Sequence, residues 1–168
     1  MFIEKSDLKS VLYEYQLDQI AENDDSILDD GIAAAITEVR SYFDAANARR
    51  ETAGLSKQEY AAWKLYDTEA IFNATGTNRD PFVMRLCMRV AAYNICELAN
   101  VDVLDNRLRE RYENTIKTLE KIAGLGEYAQ SRIVLSNLPS PTPSGDDDSS
   151  SSASKPFRMV SRPKFHHE

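Results

Sequence analysis

The chain has 168 residues, 42% apolar and 28% charged, with a net charge of −7; that is the balance of a single soluble globular domain. No apolar run approaches the roughly 18 residues a membrane span needs. The opening residues, Met1 to Asp7, lack the basic-then-apolar layout of a signal peptide, so an intracellular, unprocessed product with no membrane association is expected. The charge is unevenly placed. Lys155, Arg158, Arg162 and Lys164 against Glu168 leave +3 at the end, Asp146, Asp147 and Asp148 supply −3, and the preceding body keeps the full −7. An acidic body weighs against phosphate-backbone binding as its main task.

In chain order, Ser6 ahead of Asp7 and Leu8 predicts an N-cap and a short helix from Asp7 to Leu12. Gln16 to Asn23 predicts another turn or two. Asp24 and Asp25 then precede a long amphipathic helix, whose apolar positions Leu28, Ile32, Ala35, Ile36, Val39, Phe43 and Ala46 recur every three or four residues. Asp29 and Asp30 suit the positive end of that helix, which is expected to run to about Arg50 and stop before Gly54. Ser56 and Glu59 match a capping box. The helix they open, carrying Tyr60, Trp63 and Leu65, is expected to continue through Ile71 and Phe72.

Asn73 to Asn78, rich in Gly, Asn and Thr, reads as a loop. Asp80 followed by Pro81 is an N-cap with proline at the first helical position. The helix it starts, to Leu98, is apolar on most of its circumference and is expected to sit centrally. After a short break at Asn100 to Asp102, a last helix is predicted from Asp105 to Ala123. Its inward residues are Leu108, Tyr112, Ile116, Leu119 and Ile122, and Gly124 is its stop. Residues 132–135 form the one strand-like run of the body and are too few to assign. The predicted fold class is all-α: a small helical bundle of two or three long helices with short ones around them, plus an extended C-terminal arm.

Little in the body carries chemistry. The only histidines are His166 and His167, which leaves the body without a His general base, a Ser–His or Cys–His pair, or a His metal site. No Gly-rich phosphate loop or paired-cysteine metal spacing occurs, and neither enzymatic activity nor a cofactor is expected. Asp24, Asp25, Asp29 and Asp30 lack the spacing and central glycine of a calcium loop, and read as capping residues and a solvated face. Cys87 and Cys96, the only cysteines, lie about 13 Å apart on opposite faces of one helix. A disulfide spans at most about 7 Å, so two buried reduced thiols are expected. The last helix interleaves Arg107, Arg109, Arg111, Lys117 and Lys121 with Glu110, Glu113 and Glu120. Glu113 and Lys117 form a favourable i,i+4 pair, and the face reads as solvent-facing or as a contact between subunits. Tyr60, Trp63 and Tyr66 read as core or near-core aromatics.

The organisation is therefore a helical domain over residues 1–138, a Ser/Pro/Asp linker over 139–154 and a docking segment over 155–168. The linker offers almost no apolar surface with which to offset its ordering entropy, and is expected to be mobile. The final segment is apolar and basic again. Phe157, Arg158, Met159, Val160, Arg162 and Phe165 are the candidate partner-docking residues, and Arg158 to Arg162 alternates enough to add a short strand to a partner's sheet edge.

The layout of a short helix near Phe2 to Leu8, a long helix from Asp24 to Phe43 after an acidic turn, a proline-started apolar helix from Asp80 and Pro81 to Leu98, a helix from Arg111 and Tyr112 to Gly124, and an ending of the type Arg158 to Arg162 resembles a known family. It is that of the small helical head–tail connector (adaptor, or head-completion) proteins of tailed phages, particularly a Mu-like prophage branch. The chain departs from that pattern in the material between residues 56 and 70 and in its long Ser/Asp linker. The resemblance implies a virion structural protein, assembled in the host cytoplasm, that forms a ring of twelve copies under the portal protein. Such a ring joins head to tail or to the next connector ring, and extends a channel through which DNA passes without sequence-specific binding. An alternative is a cellular helical adaptor or regulator that recruits a partner through its C-terminal peptide.

Overall fold

The computed structural model describes residues 1–21, 25–98, 106–129 and 131–141. Within them the apolar periodicity becomes seven helices: α1 (Lys5–Leu8), α2 (Glu14–Ala21), α3 (Ser26–Thr52), α4 (Lys57–Ala62), α5 (Thr68–Phe72), α6 (Pro81–Leu98) and α7 (Asn106–Ala123). Single 3₁₀ turns lie at Gly76–Asn78 and Gly126–Ala129. No strand occurs among the described residues, and the fold is all-α as expected, with three long helices.

The stripe of α3 is its spine. Leu28, Gly31, Ile32, Ala35, Val39, Phe43 and Ala46 are all buried, and α2, α5, α6 and α7 all pack on this one helix. As expected, α6 has neighbours on several sides: it buries Val83, Leu86, Cys87, Val90, Ala91, Ala92, Ile95 and Cys96 and packs on α1, α3 and α7. Both cysteines are free and buried, and burial pushes their thiol pKa values up. Gly31 lies against Ile95, where a Cβ would stand 2.4 Å from the Ile95 Cγ1. The early end of α3 therefore meets the late end of α6, and the two run antiparallel. Near the other end of α3, Phe43 sets its ring edge-on to Tyr66 (5.2 Å between centroids) and Phe72 (5.7 Å), and Phe72 meets Phe2 at 5.3 Å. Each such pair is worth about 0.5–1.5 kcal/mol beyond its buried area, so this cluster fastens the N-terminal segment and α5 to the bundle.

Helix ends with local chemistry fall where the sequence places them. Asp80 Oδ1 accepts from the backbone N–H of Phe82 and Val83, ahead of Pro81. Ser56 and Glu59 form their reciprocal box at α4. Gly54 and Gly124 take left-handed φ angles of 60° and 68° just past α3 and α7, where a side chain would be strained.

Three expectations change. The first helix is not Asp7 to Leu12 with Ser6 as cap. It begins at Lys5, because Asp7 Oδ2 accepts from the Glu4 N–H at 2.9 Å while Arg79 grips the same carboxylate at 2.7 Å. The helix opened by Ser56 does not continue to Phe72. It ends at Ala62, and residues 63–67 run extended before α5 starts at its own cap, Asp67. Tertiary bonds outcompete the helical ladder there. The Trp63 indole N–H donates to the Ala46 carbonyl at 3.1 Å, and Asn47 brackets Tyr66, accepting from its N–H and donating to its carbonyl at 2.8 Å each. Tyr60 is exposed, not near-core: its ring lies under the Arg50 guanidinium at 4.0 Å, and its hydroxyl donates to Glu51.

Residues 131–139 close over this extended stretch as a strap. Arg132 is the bolt. Its Nε donates to the Ile122 carbonyl at 2.9 Å, its Nη2 to the Lys64 carbonyl at 3.0 Å, and its plane covers the Trp63 ring at 4.2 Å. Lys64 Nζ donates back to the carbonyls of Ser136 and Leu138, the Leu135 N–H donates to the Tyr66 hydroxyl, and the Asp67 N–H donates to the Pro139 carbonyl. Leu138 is buried. The expected break at Asn100 to Asp102, the linker beyond Pro141 and the whole of 155–168 lie outside the described residues.

Candidate functional site

The first half of α6 carries two arginines on an otherwise apolar helix. Arg85 and Arg89 are one turn apart and so share a face, and Phe82 and Met88 flank them on the same side. Ser10 and Val11, from the turn after α1, stand opposite; the Ser10 hydroxyl reaches the Met88 sulfur at 3.4 Å. Arg111 enters from α7, and Asp80, Pro81 and Asn137 complete the rim. Together these residues enclose a cleft of about 720 Å³.

The electrostatics of this cleft are unbalanced. Arg89 is half-buried, and burial first, then the charges of Arg85 and Arg111, lowers its pKa. The charges of Arg85 and Arg111 therefore both bear on Arg89. Among the described residues none of them forms an ion pair; the five pairs found there are Lys5–Asp25, Lys9–Glu14, Arg40–Asp44, Arg40–Glu69 and Arg79–Asp7. Asp80, the acid of the rim, is already committed. Its Oδ1 takes two backbone N–H groups and its Oδ2 takes the Asn137 amide at 2.7 Å.

Arginines placed elsewhere show the contrast. Arg79 donates to the Asp7 carboxylate and to the Phe2 and Gly76 carbonyls, and Arg132 spends its donors on two carbonyls. An arginine fork left open presents paired N–H donors that match a carboxylate or phosphate bidentately. Three of them beside Val11, Phe82 and Met88 set charged donors next to an apolar wall. No group of three metal-ligating side chains gathers among the described residues, and no helix there is long and apolar enough to cross a membrane.

Above the cleft, α7 is tied into the bundle by Tyr112. Its ring stacks on Tyr93 at 4.1 Å, and its hydroxyl donates to Glu38 of α3 at 2.9 Å. Burial and that carboxylate raise its pKa. Tyr112 thus joins all three long helices and fixes the height at which Arg111 emerges. A second surface feature follows the Val11 wall in sequence. Tyr13 and Tyr15 stack at 5.7 Å while 70% and 64% exposed, an arrangement that costs apolar hydration unless something covers it.

The docking residues expected from the sequence, Phe157, Arg158, Met159, Val160, Arg162 and Phe165, lie outside the described residues. Arg85 and Arg89 were not singled out by sequence reasoning, and Arg111 was read there only as part of the charged face of the last helix, but a signal for them exists. The acid of α6 is Glu97, at its far end, so neither Arg85 nor Arg89 has an acidic partner three or four residues away. Arg111 likewise has Arg107, Leu108, Asn114 and Thr115 at those spacings, despite the glutamates elsewhere on its helix. Comparison with protein-family models, with curated proteins and with solved structures finds no match to this chain.

Proposed function

We propose that the chain is a structural assembly protein: a connector subunit of a tailed-phage virion that forms a ring at the portal vertex, joins head to tail and extends the DNA channel. The observation that carries the reading is the cleft, a concentration of positive charge without an ion-pair partner among the described residues, on an acidic helical body. The finer identity comes from the order of a long helix after an acidic turn, a proline-started apolar helix and an Arg-Tyr helix closed by glycine. Ring formation uses the exposed faces, and the portal protein and a tail component or next ring are the partners. An acidic lumen repels DNA and lets it slide. The segment 155–168 docks on a neighbouring subunit or ring through Phe157, Arg158, Met159, Val160, Arg162 and Phe165.

Electron microscopy of the full chain mixed with a portal protein tests this directly. A closed ring coaxial with the portal is the expected image. A chain that stays monomeric and ignores portals overturns the reading in favour of a cellular adaptor recruiting a partner through its C-terminal peptide. Truncation after Pro141, which spares the bond from Asp67 to Pro139, is expected to leave the melting temperature within about 2 °C, on the scale of a sub-kilocalorie change, and to abolish assembly. Arg158→Glu with Arg162→Glu is expected to weaken assembly; unchanged assembly removes both from the interface.

A further inference from the structure

We infer that the arginine cleft of α6 and α7 is the receptor for this chain's own acidic run, Asp146–Asp148, which docks there in cis. Charge is the first argument. Arg85, Arg89 and Arg111 bring three positive charges that no described carboxylate answers, and Asp146–Asp148 is the one run of three consecutive acids in the sequence. Charge-assisted guanidinium–carboxylate bonds are bidentate and roughly twice as strong as neutral ones. The acidic rim residue, Asp80, offsets one of these charges at most, and three N–H donors already take most of its acceptor sites.

Chain length is the second argument. The strap that leads into the linker passes the cleft, with Asn137 on its rim bonded to Asp80. Asp146 follows nine residues later, an extended reach of about 30 Å. Pro139, Pro141, Pro143 and Gly145 within that stretch favour extended and turning backbone over helix. Closing so short a loop costs little entropy, and a tethered ligand acts at a high effective concentration. The apolar wall of Val11, Phe82 and Met88 gives the linker's prolines a surface to lie on. Docking the acids also holds the basic segment 155–168 close to an acidic body until a competing partner takes it. The inference concerns the isolated chain and stands whether or not the protein builds a ring.

The test uses the full chain with a nitroxide at Ser149→Cys. Cys87 and Cys96 are buried and do not take the label. Amide signals of residues 82–89 and of Arg111 are expected to broaden selectively. The broadening should be lost in Asp146→Asn/Asp147→Asn/Asp148→Asn, a variant that leaves the helical body untouched, and lost again near 1 M salt, where the screening length is about 3 Å. Uniform or absent broadening overturns the inference, as does broadening that survives the three asparagines. Broadening in a mixture of labelled unenriched chain with unlabelled isotope-enriched chain overturns docking in cis. An equimolar short DNA duplex should leave the pattern unchanged; displacement of the label by it reassigns the cleft to nucleic-acid phosphate.

Discussion

Two regions of this molecule use arginine in opposite ways. At the strap, Arg132 is half-buried, bonded to two carbonyls and stacked on Trp63, and it holds the end of α7 to residues 63–66. At the cleft, Arg85, Arg89 and Arg111 make no hydrogen bond or ion pair with a described carboxylate; Arg85 lies over the Phe82 ring at 5.6 Å, and the charges of Arg85 and Arg111 bear on Arg89. An arginine's contribution to the fold is set by what its fork touches, because each backbone carbonyl left without its partner costs about 1–3 kcal/mol. A cation without an ion-pair partner contributes little to stability and is free to recognise something else.

That difference can be broken at four places. Arg132→Ala should cost about 3 kcal/mol by chemical denaturation, since it strips two carbonyls and uncovers Trp63, and Arg132→Lys should recover little, because an ammonium cannot span both acceptors while stacking. A loss below about 1 kcal/mol would put the strap's strength elsewhere. Asp7→Asn should cost about 2 kcal/mol near neutral pH through the Arg79 clamp, on the scale of hydrogen bonds to charged groups. Burial works against the Asp7 carboxylate, but the Arg79 hydrogen bond, the Glu4 N–H and the Arg79 charge outweigh it and hold its pKa below the usual carboxylate range. The sign follows: the carboxylate's contribution is full above the unfolded pKa of about 3.9 and fades as pH falls through the lower folded value. Wild type and variant should therefore converge in acid, and a pH-independent gap would point to lost packing instead. Arg85→Gln/Arg89→Gln/Arg111→Gln, by contrast, should change unfolding free energy by no more than about 0.5 kcal/mol, with any change toward stabilisation as repulsion is relieved. A loss above about 2 kcal/mol would make these residues structural and erase the contrast. Smallest of all, Tyr60→Ala should be nearly neutral, because its ring and hydroxyl meet only half-buried Arg50 and exposed Glu51; a loss above about 1 kcal/mol would return it to the core.

What the sequence disclosed divides along the same line. Features encoded within a few residues were legible: Asp80 with Pro81, the Ser56–Glu59 box, the apolar stripe of α3 and the stop at Gly124. The end of α4 was not, because residues 56–72 hold a helical pattern throughout while the break is imposed by Ala46, Asn47, Arg132 and the strap, which are remote in sequence. The cleft was half legible. Arg85 and Arg89 could be seen to lack acidic partners along α6, but their meeting with Arg111 depends on how α7 is hung from Tyr93 and Glu38, which no local spacing encodes. The docking segment at 155–168 remains a reading of composition and resemblance.

The fit of Gly31 against Ile95 also limits how this bundle can move. A one-turn slide of α6 along α3 would bring the Ile95 side chain up to Leu28 or Ala35, each bearing a Cβ where the present contact tolerates none. Gly31 keys the two helices in this register, and a ratchet between them would cost the close fit seen here. Motion within the bundle is then expected at α7, the short helices or the strap, while α3 and α6 travel as one piece.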